Sequence, residues 1–259
     1  MKDIQNTKGD YKFDINKVGV DNLVCPFKIQ SKIGEVISTV GNFSMMVNLP
    51  KELKGINMSR LPQLLSELKQ EGLTLNDLKQ DIRSIVDRMK KRMTSKDAHL
   101  NLEFDYFLEK KAPVSGFMGI VPYHVKINAS LQGSSYDFIL TVEVPITTLC
   151  PCSKEISDYS AHNQRGYVEV GIKFDGLFYI EDIIEIVEEV ASCEIYSVLK
   201  RVDEKYVTER AYENPRFVED VVRLVAEKLD QASQIKSFSV SSRHQESIHS
   251  HDAYAIIER

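Results

Sequence analysis

The chain has 259 residues, of which 42% are hydrophobic and 27% charged, and its formal net charge is -5. This composition is typical of a globular protein that builds its core without disulfide bonds. The acidic balance argues against the basic stripe of a nucleic-acid-binding protein, and no apolar run approaches the roughly 20 residues that span a bilayer. We therefore expect neither nucleic acid nor a membrane as a partner.

The number of cysteines indicates the cellular compartment of the protein. Four cysteines are few for this length, and residues 1–6 (MKDIQN) lack the apolar segment of a signal peptide. The sequence therefore predicts a cytoplasmic protein whose thiols stay reduced. A cysteine in an unusual position is then better interpreted as a metal ligand or a nucleophile than as half of a disulfide.

The first half of the chain predicts a polar N-terminal arm (residues 1–16) followed by two strands, two helices and two strands. Alternating apolar residues indicate the strands, and apolar residues three and four apart indicate the helices. Asn76 is the expected N-cap of the second helix. In chain order the elements are strands 18–29 and 36–47, helices from Ser59 and over 76–93, and strands 98–108 and 121–131.

The second half repeats this order of elements. Strand 136–146 alternates strictly, and strand 167–174 ends at Asp175 and Gly176. Pro215 suits the first turn of a helix, because its missing N–H is not needed there. The remaining elements are helices 180–201 and 215–233, then strands 238–242 and 253–257.

The repeated order predicts an α+β fold made of two tandem modules, over residues 17–132 and 133–259. Each module would be a four-stranded antiparallel sheet with two helices on one face. Such a sheet leaves its other face and its edges to be covered. We therefore expect the chain to form an oligomer in which sheets join edge to edge.

The first reactive group is a Cys-x-Cys pair directly after strand 136–146. Cys150 and Cys152 flank Pro151, which stiffens the turn. A thiolate at the end of a strand is well placed to bind a metal. Two half-buried cysteines that act as small apolar residues are the alternative interpretation.

Three further groups of polar side chains follow in the second half. His162 and Arg165 stand just before a strand, where the arginine could hold a phosphate. Acidic residues occur over 203–204 and 213–220, where they could simply be solvated helix ends. Three of the six histidines fall within residues 244–251, beside Glu246. A set of Cys, His and Glu suits a divalent ion such as zinc, iron or manganese.

Taken together, these groups resemble the type IB GTP cyclohydrolases, the prokaryotic enzymes that open folate biosynthesis. Four strings carry the resemblance: PITTLCPCSKEIS (residues 145–157), AHNQR (161–165), YENPRFVED (212–220) and ESIH (246–249). The resemblance implies the tunnelling fold, with two modules per chain, and a homotetramer with active sites between subunits. It also implies that GTP and water become 7,8-dihydroneopterin triphosphate and formate.

The resemblance further implies roles for individual residues around a divalent metal ion. Cys150 would be the metal-binding thiolate, with His162, Glu204 and His249 as further ligands. Glu246 would lie beside the metal, either as a ligand or as the acid/base group. Cys150, Glu246 and His249 would thus form the catalytic set.

Two residues would bind the substrate. Glu219 would pair with two adjacent N–H donors of the guanine edge, which discriminates against adenine. Arg165 would take the triphosphate.

Other functions remain open from the sequence alone. An archaeal branch of the same family makes a cyclic phosphate from GTP for methanopterin, and a pterin synthase or a nitrile-forming reductase of the same fold is a more distant alternative. A metal-storing or metal-sensing oligomer would use Cys150, His162, His249 and His251 without turnover of GTP. The carboxylate of Glu219 argues against that last interpretation.

Overall fold

A computed structural model describes residues 7–259, which contain six helices and ten strands. Residues 1–6 of the predicted N-terminal arm lie outside the described residues. The chain divides into two compact units. Unit 1 extends to Asp105 and takes in Lys126–Leu140, whereas unit 2 comprises Tyr106–Val125 and Thr141–Arg259. The division into modules 17–132 and 133–259 stays a prediction.

Unit 1 is a sheet with two amphipathic helices. Its strand order is β3-β1-β2-β4-β5-β6, and β1 pairs antiparallel with β2 and parallel with the short β3. Three of these strands also contribute residues to unit 2. The elements are β1 (Ile15–Gln30), β2 (Val36–Leu49), α1 (Arg60–Gln70), β3 (Thr74–Leu75), α2 (Leu78–Met93), β4 (Asp97–Lys111), β5 (Met118–Gln132) and β6 (Ser135–Leu149).

The apolar stripes of α1 and α2 form the core of unit 1, as the spacing predicts. Every leucine of the α1 stripe is buried, and so are Ile82, Val86 and Met89 of α2. The predicted cap of α2 is wrong by one residue. Asp77, not Asn76, is the N-cap, because its carboxylate accepts a hydrogen bond from the N–H of Gln80 at 3.1 Å.

Unit 2 contains the remaining strands and helices. Its strand order is β4-β5-β6-β7-β9-β10, and the short β8 pairs with β6 beside that path. No helix formed by residues 7–259 is long and apolar enough to cross a membrane. The elements are α3 (Pro151–Ile156), β7 (Asn163–Phe174), α4 (Ile180–Val190), β8 (Cys193–Glu194), α5 (Arg201–Glu213), α6 (Val218–Gln231), β9 (Ile235–His244) and β10 (Ala253–Glu258).

The predicted helix over residues 180–201 is too long. Helix α4 ends at Val190, and the chain becomes extended at Ala191. The reason is tertiary: the hydroxyl of Ser192 accepts the N–H of Leu149 at 3.1 Å, and Cys193 pairs with Thr147 in β6. Contacts with a distant strand therefore stop a helix that local preference would continue.

Helix α6 starts later than the predicted residue 215. Phe217 is its N-cap, and the N–H of Arg216 donates to the carbonyl of Leu149 at 3.0 Å. Helix α5 was not predicted at all. It buries only Asp203 and Ala211, so its sequence has no apolar stripe to reveal it.

The predicted α+β class is confirmed. Strands β1, β2, β4 and β5 follow one another in the sheet order, and β6, β7, β9 and β10 do the same. In both sets the long helices are inserted between the second and the third strand, whereas the short α3 lies between β6 and β7. The last residues of β6 and β9 and the first residues of β7 lie at one end of the unit 2 sheet, and the reactive side chains are found there.

Candidate active site

Cys150 lies at the junction of β6 and the short helix α3. It is the N-cap of α3, a helix that was not predicted, and Pro151 lies in the first turn; the Cys150 side chain is partly buried. The N–H of Cys150 donates to the carbonyl of His162 at 3.2 Å. Cys152 is exposed. Only the first cysteine of the Cys-x-Cys pair is therefore held against the segment that carries His162.

His162 is at the centre of a side-chain network that reaches Glu246. Its Nδ1 lies 2.9 Å from Oε1 of Gln164, 3.3 Å from the hydroxyl of Ser247 and 4.0 Å from Oε2 of Glu246. Nε2 of Gln164 donates to Oε1 of Glu246 at 3.3 Å. His162 and Glu246 thus meet from two separate segments of the chain, and the backbone of Cys150 is hydrogen-bonded to that of His162.

The backbone holds these segments in fixed register. Gly166 of β7 pairs with His244 of β9, and the N–H of Gln245 donates to the carbonyl of Arg165 at 2.9 Å. A Cβ at position 166 would lie 2.9 Å from Ile146 and 3.2 Å from the ring of His244. Glycine is therefore required there for the close packing of the imidazole over β7.

The other two predicted ligands have exposed side chains. Glu204 is exposed on α5, and its neighbour Asp203 is the buried acid. His249 is exposed in the segment after β9, where its ring stacks on His251 at 5.1 Å. Among residues 7–259, no three His, Cys, Asp or Glu side chains of one chain form a group that could hold a metal ion. The ligand set of Cys150, His162, Glu204 and His249 stays a prediction.

Asp203 explains why Glu204 faces outwards. Its carboxylate accepts the N–H groups of Val114, Ser115 and Lys200 at 2.8–2.9 Å and the hydroxyl of Ser115 at 2.6 Å. Burial would raise the pKa of Asp203, but these hydrogen bonds hold it well below its usual range. Asp203 therefore anchors α5 as a carboxylate and turns the next residue to the surface.

The donor types on these segments fit a borderline-soft divalent ion. Cys150 offers a thiol, His162 an imidazole and Glu246 a carboxylate, and these are the groups that bind zinc in proteins. Completing a four-ligand site requires donors that residues 7–259 of a single chain do not bring to this point.

A cavity of about 350 Å³ adjoins the network on the side of β8 and α5. Gln164 and Arg165 both contribute to its wall, and the space is large enough for a ligand to enter. The residues that line it are Thr147, Asn163, Gln164, Arg165, Cys193, Glu194, Ile195, Tyr196, Leu199, Val207, Thr208 and Ala211.

Glu219 is exposed in the first turn of α6, and it faces a buried histidine that the sequence did not single out. Burial lowers the pKa of His244 to about 4, and the nearby Glu219 carboxylate partly offsets that shift. His244 is therefore neutral at pH 7. Within the described residues its Nε2 is buried without a hydrogen-bond partner, as is the hydroxyl of Thr148. The alternation of β9 places His244 on the inner face, which was the available signal.

A buried ion cluster behind the cavity was also missed. Nζ of Lys110 lies 2.8 Å from Glu188 and 2.9 Å from Glu194, and all three side chains are at most 22% exposed. The hydroxyl of Tyr196 donates to Glu194 at 3.0 Å. Because Glu194 and Tyr196 also line the cavity, the cluster fixes the wall of the cavity. No short motif could reveal it, since its members come from widely separated segments.

A comparison with family models decides which family these motifs belong to. The model described as "Type I GTP cyclohydrolase folE2" matches residues 1–255. The chain belongs to the FolE2 family. All four motif strings and every site residue described above lie within the matched span.

Curated FolE2 relatives match along the whole chain. The GTP cyclohydrolase FolE2 of Magnetococcus marinus is 44% identical over 258 residues, covering 100% of this chain and 96% of its own length. That of Geobacter metallireducens is 45% identical over 259 residues, with 100% and 97% covered. That of Nitrosococcus oceani is 44% identical, with 100% and 95% covered.

Solved structures resemble this FolE2 chain in fold. Uricase from Arthrobacter globiformis has a TM-score of 0.54 at 8% identity and covers 94% of this chain and 93% of its own. Urate oxidase from Bacillus sp. TB-90 has a TM-score of 0.55 at 9% identity, with 95% and 99% covered. These likenesses concern the fold alone, and they confirm the predicted tunnelling fold of tandem modules.

Proposed function

We propose that this chain is a metal-dependent GTP cyclohydrolase that converts GTP and water into 7,8-dihydroneopterin triphosphate and formate, the first step of tetrahydrofolate biosynthesis. Membership of the FolE2 family over residues 1–255 supports the activity. The observation that carries the proposal is the His162–Glu246 pair at one end of the unit 2 sheet, with the N–H of Cys150 bonded to the carbonyl of His162.

In this proposal separate side chains bind the metal ion, bind the substrate and transfer protons. Cys150 and His162 hold a divalent ion (zinc, manganese or iron), with Glu204 and His249 as the remaining ligands. When bound, the ion lowers the pKa of water and so supplies a nucleophile for hydrolysis at C8 of guanine. Glu246, held beside His162, moves protons during ring opening, with His249 as the second catalytic side chain.

Two residues position the substrate. The exposed carboxylate of Glu219 accepts the two N–H groups of the guanine edge, which adenine cannot offer in the same arrangement. Arg165 on the cavity wall takes the triphosphate, because its planar guanidinium pairs with two phosphate oxygens.

We also propose that a homotetramer completes the site. Glu204 and His249 are not gathered with Cys150 and His162 in one chain, so a neighbouring subunit has to supply donors if all four bind one ion. Exposed apolar side chains on the outermost strand of unit 2 offer a contact surface. GTP and a second copy of the chain are the partners in this proposal, and the cytoplasm is its location.

The test measures formate and the pterin product after incubation with GTP, using protein treated with a chelator and then supplied with zinc, manganese or iron. Cys150→Ala is expected to abolish turnover at every metal concentration. Cys152→Ala is the matched control, because Cys152 is exposed two residues away and contributes no donor.

Wild-type turnover in Cys150→Ala would show that the metal assignment is wrong. A product with the mass of a cyclic phosphate would indicate the archaeal type of reaction instead. Metal binding without any consumption of GTP would indicate a metal-storing or metal-sensing oligomer.

A further inference from the structure

Gln164 connects the two reactive side chains of the site. It is the second residue of β7, faces the inner side of the sheet and is 9% exposed. Its amide lies between Nδ1 of His162 at 2.9 Å and Oε1 of Glu246 at 3.3 Å. Gln164 lies within the string AHNQR, but the sequence assigned it no role, since a glutamine at the start of a strand is usually solvated.

The chemistry of the amide gives each of these contacts a direction. The amide oxygen can only accept and the amide nitrogen can only donate, and a carboxylate oxygen such as Oε1 of Glu246 accepts. The nitrogen therefore faces Glu246, and the oxygen faces the ring of His162. It follows that Nδ1 of His162 carries the hydrogen, and that Nε2 keeps the lone pair that a metal ion needs.

We propose that Gln164 is a positioning residue, which fixes the tautomer of His162 for metal binding and holds Glu246 beside it for proton transfer. This inference rests on the proposed function, because it takes His162 as a ligand and Glu246 as the proton-transfer group. Histidines that bind metals donate their other ring N–H to an oxygen in this way, and the oxygen sets the orientation of the ring. Here one amide does this for the ligand and restrains the acid/base group as well.

The surroundings make the amide the main restraint on both partners. The His162 and Glu246 side chains are 15% and 14% exposed, so little water competes for them. The hydroxyl of Ser247 is the other neighbour of Nδ1, at the longer distance of 3.3 Å, and it can rotate to donate or accept. It therefore does not select one tautomer, whereas the amide of Gln164 does.

Two substitutions distinguish the contact of Gln164 with His162 from its contact with Glu246. Gln164→Met keeps the volume and removes both hydrogen bonds. Gln164→Glu keeps an oxygen for Nδ1 of His162 but loses the donor to Glu246 and places a second negative charge beside it. Gln231→Met, at the exposed end of α6, is the control for the same exchange of an amide for a thioether.

The experiment follows the transfer of zinc from the loaded full-length enzyme to a chromophoric chelator, together with kcat and KM for GTP. Gln164→Met is expected to weaken zinc binding about 10- to 100-fold. Gln164→Glu is expected to hold zinc within about threefold of the wild type, yet to lose kcat about 10- to 100-fold with KM little changed. Gln231→Met is expected to match the wild type in all three values.

Wild-type zinc affinity in Gln164→Met, or wild-type kcat in Gln164→Glu, would overturn the inference. If Gln164→Met does not fold, the split between retained zinc and lost kcat in Gln164→Glu decides alone. Cys150→Ser in the same zinc assay distinguishes a failure of the proposed metal site from a failure of the proposed role of Gln164. If it weakens zinc binding while Gln164→Met does not, the metal site stands and the role of Gln164 falls; if Cys150→Ser binds zinc normally, the proposed metal site itself is wrong.

Discussion

Lys110 shows how single residues can decide the electrostatics of a buried region. Its ammonium group lies between the carboxylates of Glu188 and Glu194, and the hydroxyl of Tyr123 donates to Glu188 at 2.7 Å. Burial raises the pKa of Glu188, and the attraction and hydrogen bond of Lys110 offset that only in part. Burial would also raise the pKa of Glu194, but Lys110 and the hydrogen bond from Tyr196 lower it below its usual value.

The raised pKa of Glu188 predicts how stability depends on pH. A carboxyl group whose folded pKa lies above its unfolded value of about 4.3 favours the folded state below that pH, and this contribution is lost as pH rises through the folded pKa. Between about pH 4.3 and pH 8, we therefore expect the wild type to lose more free energy of unfolding than Glu188→Gln.

Urea unfolding at several pH values measures this difference between the two proteins. Lys110 stays paired with Glu194 in the variant, so the comparison isolates the titration of one group. Parallel pH profiles for wild type and variant would contradict the prediction.

Cys150 and Gln164 mark the limit of prediction at the scale of residues. Motif resemblance pointed to Cys150, His162 and Glu246, and the structure places the last two in contact. The sequence assigned no role to Gln164 or His244, because the role of a polar residue on the inner face of a strand depends on its neighbours. Those neighbours come from segments that are far apart in the sequence.

The three long helices of unit 2 begin in the same way. In each, an aspartate three residues after the N-cap accepts the N–H of the N-cap residue: Asp182 for Tyr179, Asp203 for Lys200 and Asp220 for Phe217, at 2.8–2.9 Å. This is half of a capping box, and it also places a negative charge at the positive end of the helix dipole. The aspartates therefore set where these helices start.

Adjacent acids in the first turn of α6 are expected to have separate roles. Asp220→Ala should lower the free energy of unfolding by about 1 kcal/mol, because the cap is lost, and leave KM for GTP close to the wild-type value. Glu219→Ala should leave stability within about 0.5 kcal/mol. Its kcat/KM for GTP should fall about 100-fold or more, because the guanine edge loses its acceptor.

Urea unfolding and steady-state kinetics on both variants make this comparison. A loss of stability in Glu219→Ala, together with normal kinetics, would mean that Glu219 serves the helix and not the substrate.

Strand β10 is the part of the molecule that bears most directly on its assembly into an oligomer. It is the outermost strand of the unit 2 order, and it exposes Tyr254 and Ile256 by 60% and 49%. A strand with a free edge and apolar side chains tends to pair with another chain. The proposed oligomer would cover this strand.

Light scattering after size-exclusion chromatography tests the assembly. We expect a mass of four times the 29.6 kDa chain, and a smaller species for Ile256→Lys, since a lysine on an edge strand opposes pairing. Ile33→Lys is the control, because Ile33 is 79% exposed in the turn between β1 and β2 and is not part of a strand. A clean wild-type monomer would overturn the proposal of a tetramer.

The sequence by itself determined the eight longer strands, the amphipathic helices of unit 1, the α+β class and the motifs around Cys150 and His162, but not the two-residue strands β3 and β8. These follow from local periodicity and from side-chain chemistry, both of which act over a few residues. Tertiary structure decided the end of α4 at Val190, because Ser192 and β8 pair with β6. It also decided the existence of α5 and the link through Gln164, since the free energy of those features comes from contacts between segments far apart in the chain.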